Sequence, residues 1–149
     1  MMHVDSGKLI MKIFRWIMVI PSAYVGWYSV LIIGIGFYQL GISFCPENEM
    51  DSGICVANWW MIYEKIIFVL FAGLSAMSAV TIPTYVAPSY KYQVAIIAFL
   101  IGVILAIWFA SIGGLWLELS AAILFGGITL KIILKHIQKS SDIKQNLDV

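Results

Sequence analysis

Long uncharged runs of apolar residues, separated by short polar stretches, dominate the pattern of this chain. When the sequence is divided at its charges and prolines, four apolar windows remain, at about residues 17–43, 60–82, 93–112 and 115–134. A bilayer core of about 30 Å needs roughly 20 apolar residues for each crossing helix. The pattern therefore predicts an all-α integral membrane protein with four transmembrane helices in an up-down bundle.

Prolines and glycines mark the boundaries of these windows. Pro21 lies near the start of the first window, where the first turn of a helix tolerates a missing amide donor. Pro83 and Pro88 are expected to end the second helix. Only Gly113 and Gly114 lie between the third window and Leu115, where the fourth begins, and so short a connection predicts an antiparallel helical hairpin.

The composition agrees with a membrane protein and excludes an ordinary water-soluble domain. Hydrophobic residues make up 62% of the 149 residues and charged residues 11%, against roughly 45–50% and about 25% in soluble domains. The formal net charge is +1, which argues against a nucleic-acid partner. We expect residues 1–149 to form a single four-helix transmembrane domain whose first partner is the lipid bilayer.

The distribution of Lys and Arg predicts the orientation, because basic residues near the ends of short loops stay in the cytoplasm. Basic residues lie in the two terminal segments and the middle loop, as Lys8, Lys12, Arg15, Lys91, Lys131, Lys135, Lys139 and Lys144. The first loop and the helix ends beside it carry Glu47, Glu49, Asp51, Glu64 and Glu118, with Lys65 as their single basic residue. Both termini are therefore predicted to be cytoplasmic.

This orientation divides the flanking regions by compartment. Residues 1–16 form a basic cytoplasmic N-terminal segment, residues 44–59 an extracytoplasmic loop, and residues 135–149 a basic polar cytoplasmic tail. Short loops combined with a one-sided distribution of Lys and Arg favour the inner membrane of a bacterium as the location.

Cys45 and Cys55 are the two cysteines of the chain, and both lie in the predicted exterior loop. In an oxidising compartment they are expected to form a disulfide. Closing a loop of this size stabilises a fold by about 3 kcal/mol in the chain-entropy model. Thiol–disulfide exchange is the less favoured interpretation, because nine residues separate the cysteines and no Cys-x-x-Cys or second pair is present.

Glu64, Lys65 and Glu118 form a candidate polar membrane site. Ionisable residues inside apolar segments are costly and often functional. The two carboxylates lie at similar depth near the outer helix ends, where they are placed to face one another with Lys65 as a partner for either. The favoured interpretation is that these side chains reach back to the interface. The alternative is a cation site, a proton relay or an ion pair between subunits.

Small residues spaced four apart predict helix-packing faces, because they allow two backbones to approach closely in lipid. These residues are Ala72, Ala76, Gly102, Ala106, Ala110, Ala122 and Gly126. Some of these faces must form the bundle, and a spare face would bind a second subunit.

Two basic stripes predict contact with anionic headgroups, each presenting one cationic face if its segment is helical. They consist of Lys8, Lys12 and Arg15, and of Lys131, Lys135 and Lys139. Recruitment of a cytoplasmic partner is the alternative role for these stripes.

The chain has few residues that could form a catalytic, metal-binding or phosphate-binding site. The chain has two histidines, His3 and His136, and lacks both a nucleophile–base arrangement and a glycine-rich phosphate loop. These observations predict a protein that is not an enzyme, with no catalytic residue, metal or cofactor. The leading hypothesis is an accessory or structural subunit, or a homo-oligomer, that acts by helix association. The alternatives are a pore or transporter with Glu64 and Glu118 in an outer vestibule and, less favoured, thiol exchange at Cys45 and Cys55.

Overall fold

The computed structural model describes the backbone of residues 6–147 and the side chains of residues 10–139. This part of the chain forms four long helices, α1 (Ser6–Ile42), α2 (Asn58–Val86), α3 (Lys91–Gly113) and α4 (Trp116–Leu147). Between α1 and α2 lie a 3-10 turn (Glu47–Glu49) and a hairpin of β1 (Met50–Asp51) and β2 (Ile54–Cys55). Each long helix contains a stretch that is long and apolar enough to cross a membrane. The predicted all-helical architecture with four candidate spans is confirmed, and it indicates a membrane protein.

The helices extend beyond the predicted spans at both ends of the chain. α1 begins at Ser6 rather than near residue 17, and α4 continues to Leu147 rather than ending near residue 134. Hydrophobic windows mark only the segments suited to hydrocarbon, whereas helical hydrogen bonding continues through the flanking amphipathic sequence. Pro21 consequently lies well inside α1 rather than in its first turn.

The prediction that Pro83 ends the second helix is wrong. Pro83 is buried inside α2, which continues to Val86. The amide of Ala87 still donates to the carbonyl of Pro83, at 3.0 Å. Pro88 ends the helix, because a residue before proline is pushed out of the helical region. Ala87 accordingly adopts φ −57° and ψ 126°.

α2 is the central helix of the bundle. It packs against each of the other three helices, and α3 and α4 also pack against each other, whereas the main contact of α1 is with α2. α1 and α2 are antiparallel, since Gly41 lies beside Tyr63 while Gly26 lies beside Ile82. We call the end of the bundle that carries the Cys45–Cys55 loop the disulfide end and the opposite end the basic end.

Glycines set the distance between α1 and α2. They recur at intervals of about two helical turns and so lie on one side of α1. A Cβ atom at Gly26, Gly34 or Gly41 would run into the side chain of Ile82, Phe71 or Tyr63, respectively. The hydroxyl of Tyr63 also donates a hydrogen bond to the carbonyl of Phe37, at 2.7 Å. The close approach of the two helices therefore depends on the missing side chains.

Replacing Gly41 by leucine is expected to force α1 away from α2. The new side chain would overlap the ring of Tyr63 and meet the ring of Trp60. Overpacking of this kind costs about 1–3 kcal/mol. Reversible unfolding in mixed micelles measures the change in the free energy of unfolding.

Gly36→Leu is the matched control on the same helix. A Cβ atom at Gly36 meets nothing within 4 Å, so this variant should retain the stability of the wild type. Equal stability of the two variants would contradict the proposed role of Gly41 in the α1–α2 contact.

Candidate functional site

The disulfide end is closed by a short covalent hairpin. Cys45 and Cys55 are joined by a disulfide, with their Cα atoms 5.9 Å apart. Met50 pairs with Cys55 across the two antiparallel strands. Ser52 and Gly53 make the turn with φ angles of 50° and 84°, and glycine adopts such angles without steric strain. The loop therefore has a fixed shape built from its own turn residues and one cross-link.

An aromatic cluster anchors this hairpin to the helices. Trp60 is 4% exposed and Cys55 2% exposed, and Tyr38, Cys45 and Tyr63 pack around them. The rings of Tyr38 and Trp60 meet edge to face, with centroids 5.2 Å apart. Thiol–disulfide exchange requires an accessible sulfur, so burial disfavours attack at Cys55, whereas Cys45 is half-buried.

The buried indole of Trp60 has an unusual feature. Its Nε1 atom has no hydrogen-bond partner among the described residues. A buried donor without a partner costs about 1–3 kcal/mol relative to a satisfied one. The ring is retained in this position by its apolar contacts with the cluster.

The structure places the three residues of the candidate polar site near the disulfide end without pairing them. Glu64 and Glu118 are half-buried and Lys65 is exposed. Among the described side chains, none of the three has an ion-pair partner within 4.0 Å. Glu118 lies in the first turn of α4, where the helix dipole stabilises a negative charge. This placement gives Glu118 a structural role that does not require a ligand.

An open groove lies between α2 and α4. Its volume is about 360 Å³, and it is lined by Lys65, Ile66, Val69, Leu70, Leu117 and Phe125. The lining is apolar apart from Lys65, so the groove suits hydrocarbon. Neither Glu64 nor Glu118 is among the lining residues, although their chain neighbours Lys65 and Leu117 are.

The predicted packing residues divide into residues that contact other helices and residues that do not. A Cβ atom at Gly126 would meet the ring of Phe99 at 3.1 Å and the Cβ of Ala76 at 3.6 Å, so these residues join α2, α3 and α4. Ala110 is 2% exposed. Ala72, Ala106 and Ala122 are half-buried. A Cβ atom at Gly102, in contrast, meets nothing within 4 Å.

A close contact between α2 and α4 lies outside the predicted packing residues. Gly73 faces the ring of Phe125, whose nearest atoms would lie 2.9 Å from an added Cβ. The small-residue spacing points instead to Ala72 and Ala76 on a neighbouring face. Gly73 itself indicates a close contact, because glycine in a helix interior is unfavourable unless a neighbouring side chain needs the space.

Both basic stripes lie on helices toward the basic end. Lys12 and Arg15 on α1 are exposed, as are Lys131, Lys135 and Lys139 on α4. The side chain of Lys8 lies outside the described residues. Within the described part of the chain, no group of three or more His, Cys, Asp or Glu residues is placed to hold a metal ion.

Comparisons with known proteins assign no family to the chain. A scan against protein-family models and searches of curated proteins and solved structures found no match. Any function must therefore follow from the residues of the chain and their geometry.

Removing the disulfide is expected to destabilise the disulfide end without unfolding the helices. The double variant Cys45→Ser/Cys55→Ser should lose about 3 kcal/mol of unfolding free energy. Thermal unfolding followed by circular dichroism measures this loss, and helical content at low temperature should be unchanged. Ser43→Ala, at an exposed position beside the loop, is the control. Stability equal to that of the wild type would show that the cross-link is not structural.

Proposed function

We propose that this chain acts by helix association in a membrane, as an accessory or structural subunit of a membrane assembly or as a homo-oligomer. The observation that carries the proposal is the open space beside Gly102 on α3. The glycines at positions 26, 34, 41, 73 and 126 each receive a side chain from a neighbouring helix. Gly102 receives none among the described residues.

A glycine inside a helix needs a contact that compensates for its cost. Glycine in a helix interior costs about 0.8–1.0 kcal/mol relative to alanine. Close packing offsets that cost at the five filled positions, but Gly102 gains no such contact from the described residues. Half-buried Ala106 lies one turn further along α3, which continues the small surface. Small residues are what a second helix needs for close approach in lipid, so a helix from another chain is the proposed contact.

We further propose that the chain lies in a bacterial inner membrane with both termini in the cytoplasm. The helices alternate in direction, so the starts of α1 and α3 and the far part of α4 share the basic end. Lys12, Lys91 and Lys135 are exposed at that end. This clustering supports the orientation, because basic flanks are retained in the cytoplasm.

Association through α3 predicts that Gly102→Ile reduces complex formation and leaves the isolated chain stable. The added side chain enters open space, so it should not disturb the fold. Native mass spectrometry from lipid nanodiscs measures the mass of the complex and identifies any bound protein. The wild type is expected to run above the 16.6 kDa of one chain.

Gly36→Ile is the matched control, since a Cβ atom at Gly36 also meets nothing within 4 Å, but Gly36 lies between two bulky residues on α1. Ile32 and Leu40, one turn away on either side, are 54% and 56% exposed and leave no flat surface for a second helix. This variant should assemble like the wild type. A wild-type preparation that consists only of single chains would reject the proposal.

A cation pathway is the second candidate, favoured by the two half-buried carboxylates Glu64 and Glu118 near the disulfide end. In this proposal several copies form the pore, and Glu64 and Glu118 attract cations to its mouth. Ion flux into proteoliposomes should then fall in both Glu64→Gln and Glu118→Gln. Glu47→Gln, at an exposed loop position, is the control. Absence of flux in the wild type, or unchanged flux in both variants, would reject this candidate.

A further inference from the structure

The start of α1 runs beyond the end of α2. α1 has 37 residues and is therefore about 55 Å long, well above the roughly 30 Å of a bilayer core. Gly26 lies beside Ile82, and α2 ends at Val86, so the antiparallel α1 passes the end of α2 near residue 22. Every residue from 10 to 18 is exposed. This segment has no substantial cover from the described part of the chain.

The segment is strongly amphipathic. At 100° per residue, Ile10, Ile13, Phe14 and Ile17 fall within an arc of about 100° on one side of the helix. Their exposed fractions range from 52% to 67%. Lys12 and Arg15 fall on the opposite side. One helix thus presents a broad apolar face and a narrow basic face over the same residues.

Neither water nor hydrocarbon alone suits this segment. A contiguous row of bulky apolar side chains is unfavourable in water, and charged side chains are unfavourable in the bilayer core. The boundary between headgroups and acyl chains accommodates both faces when a helix lies in its plane. The corresponding part of α4 exposes fewer apolar side chains, because Ile133 and Leu134 are half-buried and only Ile132, at 63%, is largely exposed among these three residues.

The charge of the start of α1 indicates which kind of membrane surface it would bind. Residues 6–20 contain Lys8, Lys12 and Arg15 and no acidic residue. Exposed Lys91 and Lys131 add positive charge at the same end of the bundle. Pro21, at the junction with the packed part of α1, removes an amide donor and so permits a bend there.

We propose that residues 10–20 of α1 bind the surface of an anionic membrane leaflet. The face formed by Ile10, Ile13, Phe14 and Ile17 enters the acyl boundary, and Lys12 and Arg15 contact lipid phosphates. This interaction goes beyond helix association and does not depend on the number of copies in the complex.

Spin labels on the full chain test this arrangement. Single cysteines are introduced as Lys12→Cys, Ile13→Cys and Ile17→Cys, and labelled without reductant so that the native disulfide is kept. The protein is placed in vesicles of phosphatidylglycerol and phosphatidylethanolamine. Accessibility to oxygen and to a water-soluble nickel chelate then gives the depth of each position. Positions 13 and 17 should collide mainly with oxygen, and position 12 mainly with the nickel chelate.

Two results would overturn the proposal by identifying another environment. Strong nickel collisions at all three positions would place the helix in water. Weak collisions with both reagents at positions 13 and 17 would indicate a protein partner or a second copy covering the apolar face.

The charge requirement is tested with Lys12→Gln/Arg15→Gln, labelled at position 17. The ratio of embedded to water-exposed label should fall about fivefold for each charge removed. In the protein that keeps Lys12 and Arg15, replacing phosphatidylglycerol by phosphatidylcholine should also lower this ratio. Lys65→Gln, which removes an exposed positive charge at the disulfide end, is the control and should leave the ratio unchanged. An unchanged ratio in the first variant would overturn the role assigned to the anionic leaflet.

Discussion

Close approach of helix backbones is the constraint on which the bundle depends. Helices in lipid gain no hydrophobic energy from packing together, so van der Waals contact over a tight interface must hold them. The chain meets this requirement by placing glycines against bulky side chains of a neighbour, as at Gly34 with Phe71 and Gly73 with Phe125. Because α2 supplies one partner to both contacts, it is the helix that positions the others.

The two ends of the bundle are stabilised differently. At the disulfide end, a covalent hairpin and the buried ring of Trp60 hold α1 and α2 in a fixed register. At the basic end, α1 passes beyond α2 without cover, and its side chains from residue 10 to residue 18 are exposed. Rigidity is thus concentrated where the loop is cross-linked, and the opposite end leaves α1 available for contacts outside the chain.

The number, type and approximate positions of the helices follow from the sequence, because lipid-compatible windows are long and their boundaries are charged. Helix ends are less predictable, since Pro83 and Pro88 carry the same local signal and only Pro88 stops α2. The contacts between helices inside the bundle are harder still to predict from the sequence. Ala72 and Gly73 differ in facing direction by about 100°, and the rotation of α2 that turns Gly73 toward Phe125 is set by all three of its neighbours together.

The surfaces through which the chain can act lie on different helices. Gly102 lies on α3, whereas the amphipathic start of α1 lies on a helix whose main contact is α2. A second helix on α3 would therefore leave the start of α1 uncovered. Glu118, held by the dipole of α4 at the disulfide end, is distant from the start of α1 along the bundle axis. Association through α3 and headgroup contact through α1 would consequently use separate parts of the molecule, so a substitution in one of these two surfaces can be interpreted without disturbing the other.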